Sequence, residues 1–441
     1  MCGIAGVIGK QQPGEVGKML ERIKHRGPDG RGCYDLTAGT IGHRRLAILD
    51  VAGGSQPLRV GRDWIAFNGE IYNHQELRRR YLADRPFRTR TDTEVILRLY
   101  RNLGTRCVGL LDGMFAFAIY NDAGEYFLAR DPLGIKPLYT GTRGGQIYFA
   151  SEIKALTSVA DSIQEFPPGY WYHSRLGWKQ FYNLADLNLG VETMQDEESA
   201  IRSIHTTLSE SVHKRLMSDV PLGVSLSGGL DSSIVAQLAS EEIENLNTFV
   251  VGVEDGEDLQ AARFVSKAIG TVHHEYRFTL PEMKAVLPEV IYHLESFDPA
   301  LVRSAIVNYF LARLASDTVK VFLTGEGADE LYAGYAYLNR FEKPEALQTE
   351  LVHITAALHN TNLQRADRLS MAFGLEARVP FLDMKSVSLA FKLPPANKLQ
   401  KHARLEKALL RRAFADVLPK KIINRKKLKF SKGAGSSDLI A

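Results

Sequence analysis

Cys2 carries chemistry that needs no partner from elsewhere in the chain. Removal of Met1 leaves one residue with both a thiol and a free α-amine. An α-amine titrates at about 7.7 to 8.0, so it can take the proton of its own thiol and later return it to a leaving group. The competing reading is a small buried hydrophobe beside the chain terminus. Asn68-Gly69, after the apolar run 64–67, sets a side-chain amide beside a backbone N–H. Such a pair stabilises the oxyanion that forms when a thiolate attacks an amide carbonyl. The same dipeptide is also common in hairpin turns.

A second set of reactive groups lies in the other half. Ser225-Leu226-Ser227-Gly228-Gly229-Leu230-Asp231-Ser232-Ser233 follows an apolar run and precedes a helical pattern. Glycines let the backbone approach a ligand, hydroxyls and N–H groups donate, and the helix start adds its positive end, which makes a phosphate-binding turn. A Walker-type loop would carry Lys after its last glycine, where Leu230 and Asp231 stand, so the nucleotide site is of another kind. An ordinary Gly/Ser turn with capping serines is the plainer reading. In Thr324-Gly325-Glu326-Gly327-Ala328-Asp329-Glu330, Asp329 together with Asp231 can hold Mg²⁺ against a departing pyrophosphate, and Glu326 is placed to act on the substrate. Here the alternative is an acidic helix cap. The dense charges of 365–371 and 374–383 suggest an ionic lattice at a cleft, or else a surface helix with salt bridges.

These groups need rigid carriers. In the first half, strands are expected at 64–67, 113–120, 126–130, 137–139 and 147–150, and Thr91 caps a helical pattern from Val95. From Ile201 onward the signals alternate: 248–253, 272–278 and 320–323 are extended, while 201–217, 259–269 and 283–294 are helical. Alternation of this kind makes a parallel sheet with helices on both faces, and ligands bind at the carboxyl ends of its strands, where Ser227 and Thr324 fall. A polar, aperiodic stretch between Phe181 and Glu198 separates the halves, giving domains at 2–190 and 195–441.

A chain of 441 residues is too long for one core, and 45% apolar with 24% charged residues is the composition of a soluble globular protein. The net charge of +4 gives no reason to expect a nucleic-acid partner; the basic run 420–429 reads as a solvated face or an anion-facing edge. Three cysteines, Cys2, Cys33 and Cys107, make no disulfide framework and suit a reducing compartment. With no basic leader and no apolar stretch near the roughly 20 residues that span a bilayer, a cytoplasmic protein without a membrane partner is expected.

Ser227 to Ser233 resembles the pyrophosphate loop of ATP pyrophosphatases, which cleave ATP between its α- and β-phosphates to activate a substrate as an adenylate. Met1-Cys2-Gly3-Ile4-Ala5-Gly6, the run from Arg130 to Tyr139, and Ala150-Ser151-Glu152 resemble the glutaminase domain of class II amidotransferases. Phosphoribosyl and glucosamine-phosphate amidotransferases share that half. They lack Ser227–Ser233 joined to Gly325-Glu326-Gly327 and to Arg378-Val379-Pro380-Phe381-Leu382-Asp383, and with these the whole chain is similar to the glutamine-dependent asparagine synthetases of bacteria and archaea. The fold class implied is α/β: an N-terminal αββα Ntn-hydrolase sandwich and a C-terminal doubly wound parallel-sheet ATP-pyrophosphatase domain.

The resemblance makes Cys2 the nucleophile and Asn68 and Gly69 the oxyanion donors. Arg45 would hold the glutamine α-carboxylate, Glu70 and Asp92 its ammonium end, with Leu49 beside them. Ser225, Leu226, Ser227, Gly228, Gly229, Asp231, Ser232, Val251, Thr324 and Gly325 would surround ATP, Asp231 and Asp329 would hold Mg²⁺, Glu326 would be the base, and Lys407, in Arg404-Leu405-Glu406-Lys407, would approach the α-phosphate. Arg303 and Arg378 are the cations expected to face the acceptor acid. The segment 298–309 departs from the wording of the best-known bacterial form, which bears on acceptor identity. The reaction implied hydrolyses glutamine to ammonia, adenylates aspartate with release of pyrophosphate, and forms asparagine and AMP; relatives are commonly homodimers. Alternatives are the same chemistry on another carboxylate, or a silent nucleotide-binding regulatory protein.

Overall fold

The computed structural model describes residues 2–188, 196–254, 256–399, 406–427 and 433–435. The chain divides into two units, 1–183 with 371–374 and 184–370 with 375–441. In the first, side-chain alternation along the strands builds four layers. The strands are β1 (Cys2–Ile8), β2 (Gly30–Leu36), β3 (Gly39–Arg45), β4 (Leu58–Val60), β5 (Asp63–Ile71), β6 (Gly113–Asn121), β7 (Tyr126–Arg130), β8 (Tyr139–Arg143), β9 (Gln146–Ala150), β10 (Ser162–Glu165), β11 (Tyr170–His173) and β12 (Gly177–Gln180). They form two six-stranded sheets ordered β10-β8-β9-β1-β3-β2 and β12-β11-β7-β6-β5-β4, antiparallel in every pairing. Ile4 and Ile8 pack between the sheets with Ala66, Ala118 and Phe149. Their neighbours Ala5 and Val7 turn the other way, onto Val16, Met19 and Leu20 of helix α1 (Pro13–Arg22). On the second sheet Ile65, Phe67 and Ile71 pack with Leu77 of α2 (His74–Tyr81) and with Val95, Ile96 and Leu99 of α3 (Asp92–Leu103). A period of two on each strand therefore writes the αββα order.

Asn68-Gly69 is not a turn. Strand β5 runs through both residues, and Gly69 lies opposite Phe115 so closely that a Cβ there would sit 2.0 Å from the Met114 carbonyl oxygen. Glycine is required for that approach.

The second unit holds β13 (Leu222–Ser225), β14 (Asn247–Gly252), β15 (Val272–Arg277), β16 (Val321–Leu323) and β17 (Glu376–Arg378), all parallel, in the order β15-β14-β13-β16-β17. The chain runs outward from β13 to one edge, then returns to β16 on the other side. Loops leaving β13 and β16 part at this reversal, which opens a crevice at the strand ends. They are Leu226–Gly229 and Thr324–Gly327, parts of the two glycine-containing stretches singled out in the sequence. Strand β17 was not expected; its Glu376 and Arg378 are fully buried as an ion pair at 2.6 Å. Among the described residues no helix is long and apolar enough to cross a membrane.

Candidate active site

Cys2 begins β1 directly opposite Arg45 of β3 and is 7% exposed. Its N–H donates to Asn68 Oδ1 across the gap between the sheets (3.0 Å), and its thiol lies 3.9 Å from the Leu46 carbonyl oxygen. Asn68 is fully buried, and its Nδ2 has no hydrogen-bond partner among the described residues. An unsatisfied amide donor in the interior is costly unless something else takes its hydrogen bond. Removal of Met1 would turn the Cys2 nitrogen into an α-amine at the same place. From behind, Arg26 Nε donates to the Cys2 carbonyl (3.1 Å) and Arg26 NH1 to Glu152 Oε1 (2.8 Å). Burial opposes ionisation of Glu152, yet Lys154, His25 and Arg26 hold its carboxyl well below the ordinary range. The cysteine backbone is thus fixed by an ionic anchor.

Arg45 donates to the carbonyls of Leu49, Asp50 and Val51, which orient its guanidinium. Leu49 contributes here through its backbone. Glu70 is buried one residue past Gly69, and the Asp92 carboxylate accepts from the Ile71 N–H (2.8 Å). A cation on one strand and two buried carboxylates beside another make a set that suits a zwitterionic amino acid.

His43, on β3 opposite Ile4, is fully buried and bonds the Phe67 carbonyl through Nε2 (3.1 Å). Burial pushes its imidazole down from 6.5 to about 3, although the bond to Phe67 works the other way. The folded ring is neutral where an unfolded one titrates near 6.5. The stability it permits is full above pH 6.5 and is lost as pH falls toward 3, at about 1.4 kcal/mol per pH unit. All three tryptophans, Trp64, Trp171 and Trp178, belong to the first unit. Urea unfolding followed by their fluorescence should shift to lower midpoints from pH 7 to pH 5, and the shift should shrink in His43→Gln. An equal shift in the variant would contradict this origin.

In the second unit a cavity of about 460 Å³ opens between the two loops, a size ordinary for a small-molecule site. Ser225, Ser227, Gly229, Asp231, Ser232, Thr324 and Gly325 line it. Leu226 and Gly228 shape the loop from behind: Leu226 N–H donates to Phe249 O (2.8 Å), and Gly228, at φ +66°, leaves a Cβ only 2.4 Å from Ala261. Val251 is buried within β14. The loop is knitted by its own hydroxyls, with Ser227 Oγ 3.1 Å from Ser232 Oγ and Ser227 N–H on the same Ser232 oxygen. Seven cations face the cavity against five carboxylates, an excess that suits a polyphosphate.

Lys407 is 2% exposed and sits at φ +60°, a backbone conformation uncommon outside glycine. Its ammonium is paired with Asp231 Oδ2 and stands 2.6 Å from Asp329 Oδ1, while Lys427 pairs with Asp329 Oδ2. Burial opposes the charge on Asp329, but Lys407 and Lys427 drive its carboxyl far below the ordinary range. Asp231 Oδ1 is buried without a hydrogen-bond partner among the described residues. Two adjacent carboxylates, one with an open oxygen, fit Mg²⁺, which takes one or two carboxylates and completes its shell with phosphate oxygens and water. Glu326 is paired with Arg365 of the helix Asn362–Met371, and both line the cavity with Arg303.

Residues 1–168 match the family described as a glutamine amidotransferase domain, and 203–346 with 338–440 match asparagine synthase. Asparagine synthetase [glutamine-hydrolyzing] 1 of Arabidopsis thaliana is 40% identical over 465 residues, covering 99% of this chain and 79% of that protein. The chain belongs to the glutamine-hydrolysing asparagine synthetase family. Asparagine synthetase B [glutamine-hydrolyzing] of Escherichia coli is also 40% identical, over 99% of this chain and 83% of its own length. A solved glutamine phosphoribosylpyrophosphate amidotransferase from B. subtilis aligns at 20% identity and TM-score 0.36, covering 62% of this chain and 65% of that one.

In this synthetase chain four residues expected at the nucleotide and acceptor sites do not line the cavity: Leu226, Gly228, Val251 and Arg378. Arg378 does not face the cavity: its guanidinium donates to Glu376 and to the carbonyls of Arg215 and Met217, so it clamps β17 to the end of the helix Glu197–Arg215. Residues that sequence reasoning left unassigned take places in the cavity: Arg365, Arg425 and Lys427. Arg425 bonds both Asp258 and the Ser227 carbonyl, which makes part of the basic run 420–429 an anion-facing edge. Arg404, Leu405 and the end of that run fall outside the described residues, as do residues 191–194 between the two expected domains.

Proposed function

We infer that residues 2–190 hydrolyse glutamine and residues 195–441 use ATP and the released ammonia to convert aspartate to asparagine. The observation that supports this reading most directly is the pairing of Cys2 with an Asn68 amide whose donor is buried and unspent. The Cys2 thiolate attacks the side-chain amide carbon of glutamine, with its own α-amine as the base. Asn68 Nδ2 and Gly69 N–H stabilise the oxyanion, while Arg45 holds the α-carboxylate and Glu70 and Asp92 the ammonium. Collapse expels ammonia and leaves a γ-glutamyl thioester, which water cleaves to glutamate.

In the second unit the serine hydroxyls and backbone N–H groups of 225–232 bind the nucleotide phosphates, and Lys407 neutralises charge at the α-phosphate as the aspartate β-carboxylate displaces pyrophosphate. Mg²⁺, held by Asp231 and Asp329, would supply further charge neutralisation to the departing pyrophosphate. Ammonia then attacks the acyl carbon, Glu326 takes a proton from it, and AMP leaves. Arg365 fixes the Glu326 carboxylate, and Arg303 is the cation for the acceptor α-carboxylate. The compartment proposed is the cytoplasm, and the assembly a homodimer without nucleic-acid or membrane partners.

Pyrophosphate release should require ATP and aspartate together, and glutamine or ammonium should turn the product from adenylate to asparagine. Release with a different carboxylic acid would reassign the acceptor, and none with any acid would leave a nucleotide-binding protein.

A further inference from the structure

We propose that His43 and Gln56 are positioning residues of the glutaminase: they hold the Phe67 peptide groups from outside the sheet and so aim the oxyanion donors Asn68 and Gly69. The proposal rests on the glutamine reading of the Cys2 site. In an antiparallel strand, alternate residues turn their N–H and C=O to the same edge. Phe67 turns both away from β6: its N–H donates to Gln56 Oε1 (2.8 Å) and its C=O accepts from His43 Nε2 (3.1 Å). Ile71 shares that edge, and its N–H goes to Asp92 (2.8 Å). Gly69 lies between them on the same edge, so its N–H is the donor turned toward a substrate. Strand β4 pairs with β5 only over 63–65 and leaves this edge without a strand neighbour. Side chains therefore take over the work of a neighbouring strand at Phe67 and Ile71, and the gap at Gly69 is the site.

His43 is suited to one task. Its Nδ1 has no hydrogen-bond partner among the described residues, so the neutral ring carries its proton on Nε2 and spends it on Phe67. The same strand carries Arg45 opposite Cys2, which ties the oxyanion strand to the strand that binds the substrate carboxylate. Gln56 is itself held, its Nε2 donating to Thr93 Oγ1 (3.2 Å) in the first turn of α3.

Loss of an oxyanion donor outright costs about 10²- to 10³-fold in kcat, and a misaimed one should cost less. In the full-length enzyme, His43→Phe keeps the ring volume and removes the donor; its glutaminase kcat should fall about tenfold or more, with the KM for glutamine within about threefold. Alkylation of Cys2 by iodoacetamide, which passes through no oxyanion, should keep its rate, and so should ammonia-dependent synthesis. His43→Gln places an amide nitrogen near the Nε2 position and should recover most of the loss. If His43→Phe does not fold, Gln56→Leu should give the same loss confined to kcat. An unchanged kcat in the folded variants, a rise in KM alone, or a matching fall in Cys2 alkylation would overturn the proposal. A wild-type enzyme that hydrolyses no glutamine would overturn the glutaminase reading, and the proposal with it.

Discussion

Cys2→Ala should reduce glutamine-dependent synthesis to background, a loss of about 10⁴-fold or more, and leave synthesis from added ammonium within about twofold of wild type. In the proposed mechanism no other group can replace the nucleophile, because the reaction goes through a covalent thioester. The thiol lies 3.9 Å from the Leu46 carbonyl oxygen, whereas the Cys2 backbone is held by Asn68 and by the Arg26 to Glu152 anchor, neither of which needs the thiol. The cavity proposed for the ammonia-dependent half-reaction is a separate one, in the second unit. Paired rates with glutamine and with ammonium chloride decide the matter. Loss of both in a folded variant would sink the division of labour.

Much of this arrangement is legible from residues close together in sequence. The phosphate loop is a run of nine, and Asn68-Gly69 a run of two, because each function uses consecutive backbone groups. What sequence could not disclose is pairing across long separations. Asn68 and Cys2 are 66 residues apart and meet because β1 and β5 lie in facing sheets. Arg365 reaches Glu326 in the loop after β16 from the helix Asn362–Met371, and Arg425 reaches Ser227 across 198 residues. Arg378 shows the opposite error: a charge in a motif reads as a binding group, yet here it is consumed by backbone carbonyls at the sheet edge. Strand β17 was hidden for the same reason, since two of its three residues are charged and alternation has no meaning over so short a run.

Lys407→Met should lower ATP-dependent pyrophosphate release by about 10³-fold, equivalent to about 4 kcal/mol of transition-state stabilisation. In the free protein the Lys407 ammonium lies between Asp231 and Asp329, so the two carboxylates and the lysine form one charge-balanced cluster with Lys427. Removing the ammonium leaves Asp231 without its cation and the cluster of Asp231, Asp329 and Lys427 net negative beside the phosphate loop, which weakens the attraction for ATP. Arginine should not substitute. A Cβ on Gly334 would stand 2.3 Å from Lys407 Cε and 1.9 Å from Asp329 Oδ1, so the stem passes through a slot that only glycine leaves open, with no room for a planar guanidinium. Lys407→Arg should therefore stay within about tenfold of Lys407→Met, and both should retain wild-type glutamine hydrolysis. The second readout separates loss of chemistry from loss of fold. Breaking a buried ion pair can cost about 3 to 5 kcal/mol of stability, but that cost falls on the second unit and leaves Cys2 untouched. Pyrophosphate release within tenfold of wild type in Lys407→Met would remove this lysine from the phosphate chemistry. Near-complete rescue by arginine would show that the charge matters and the slot does not.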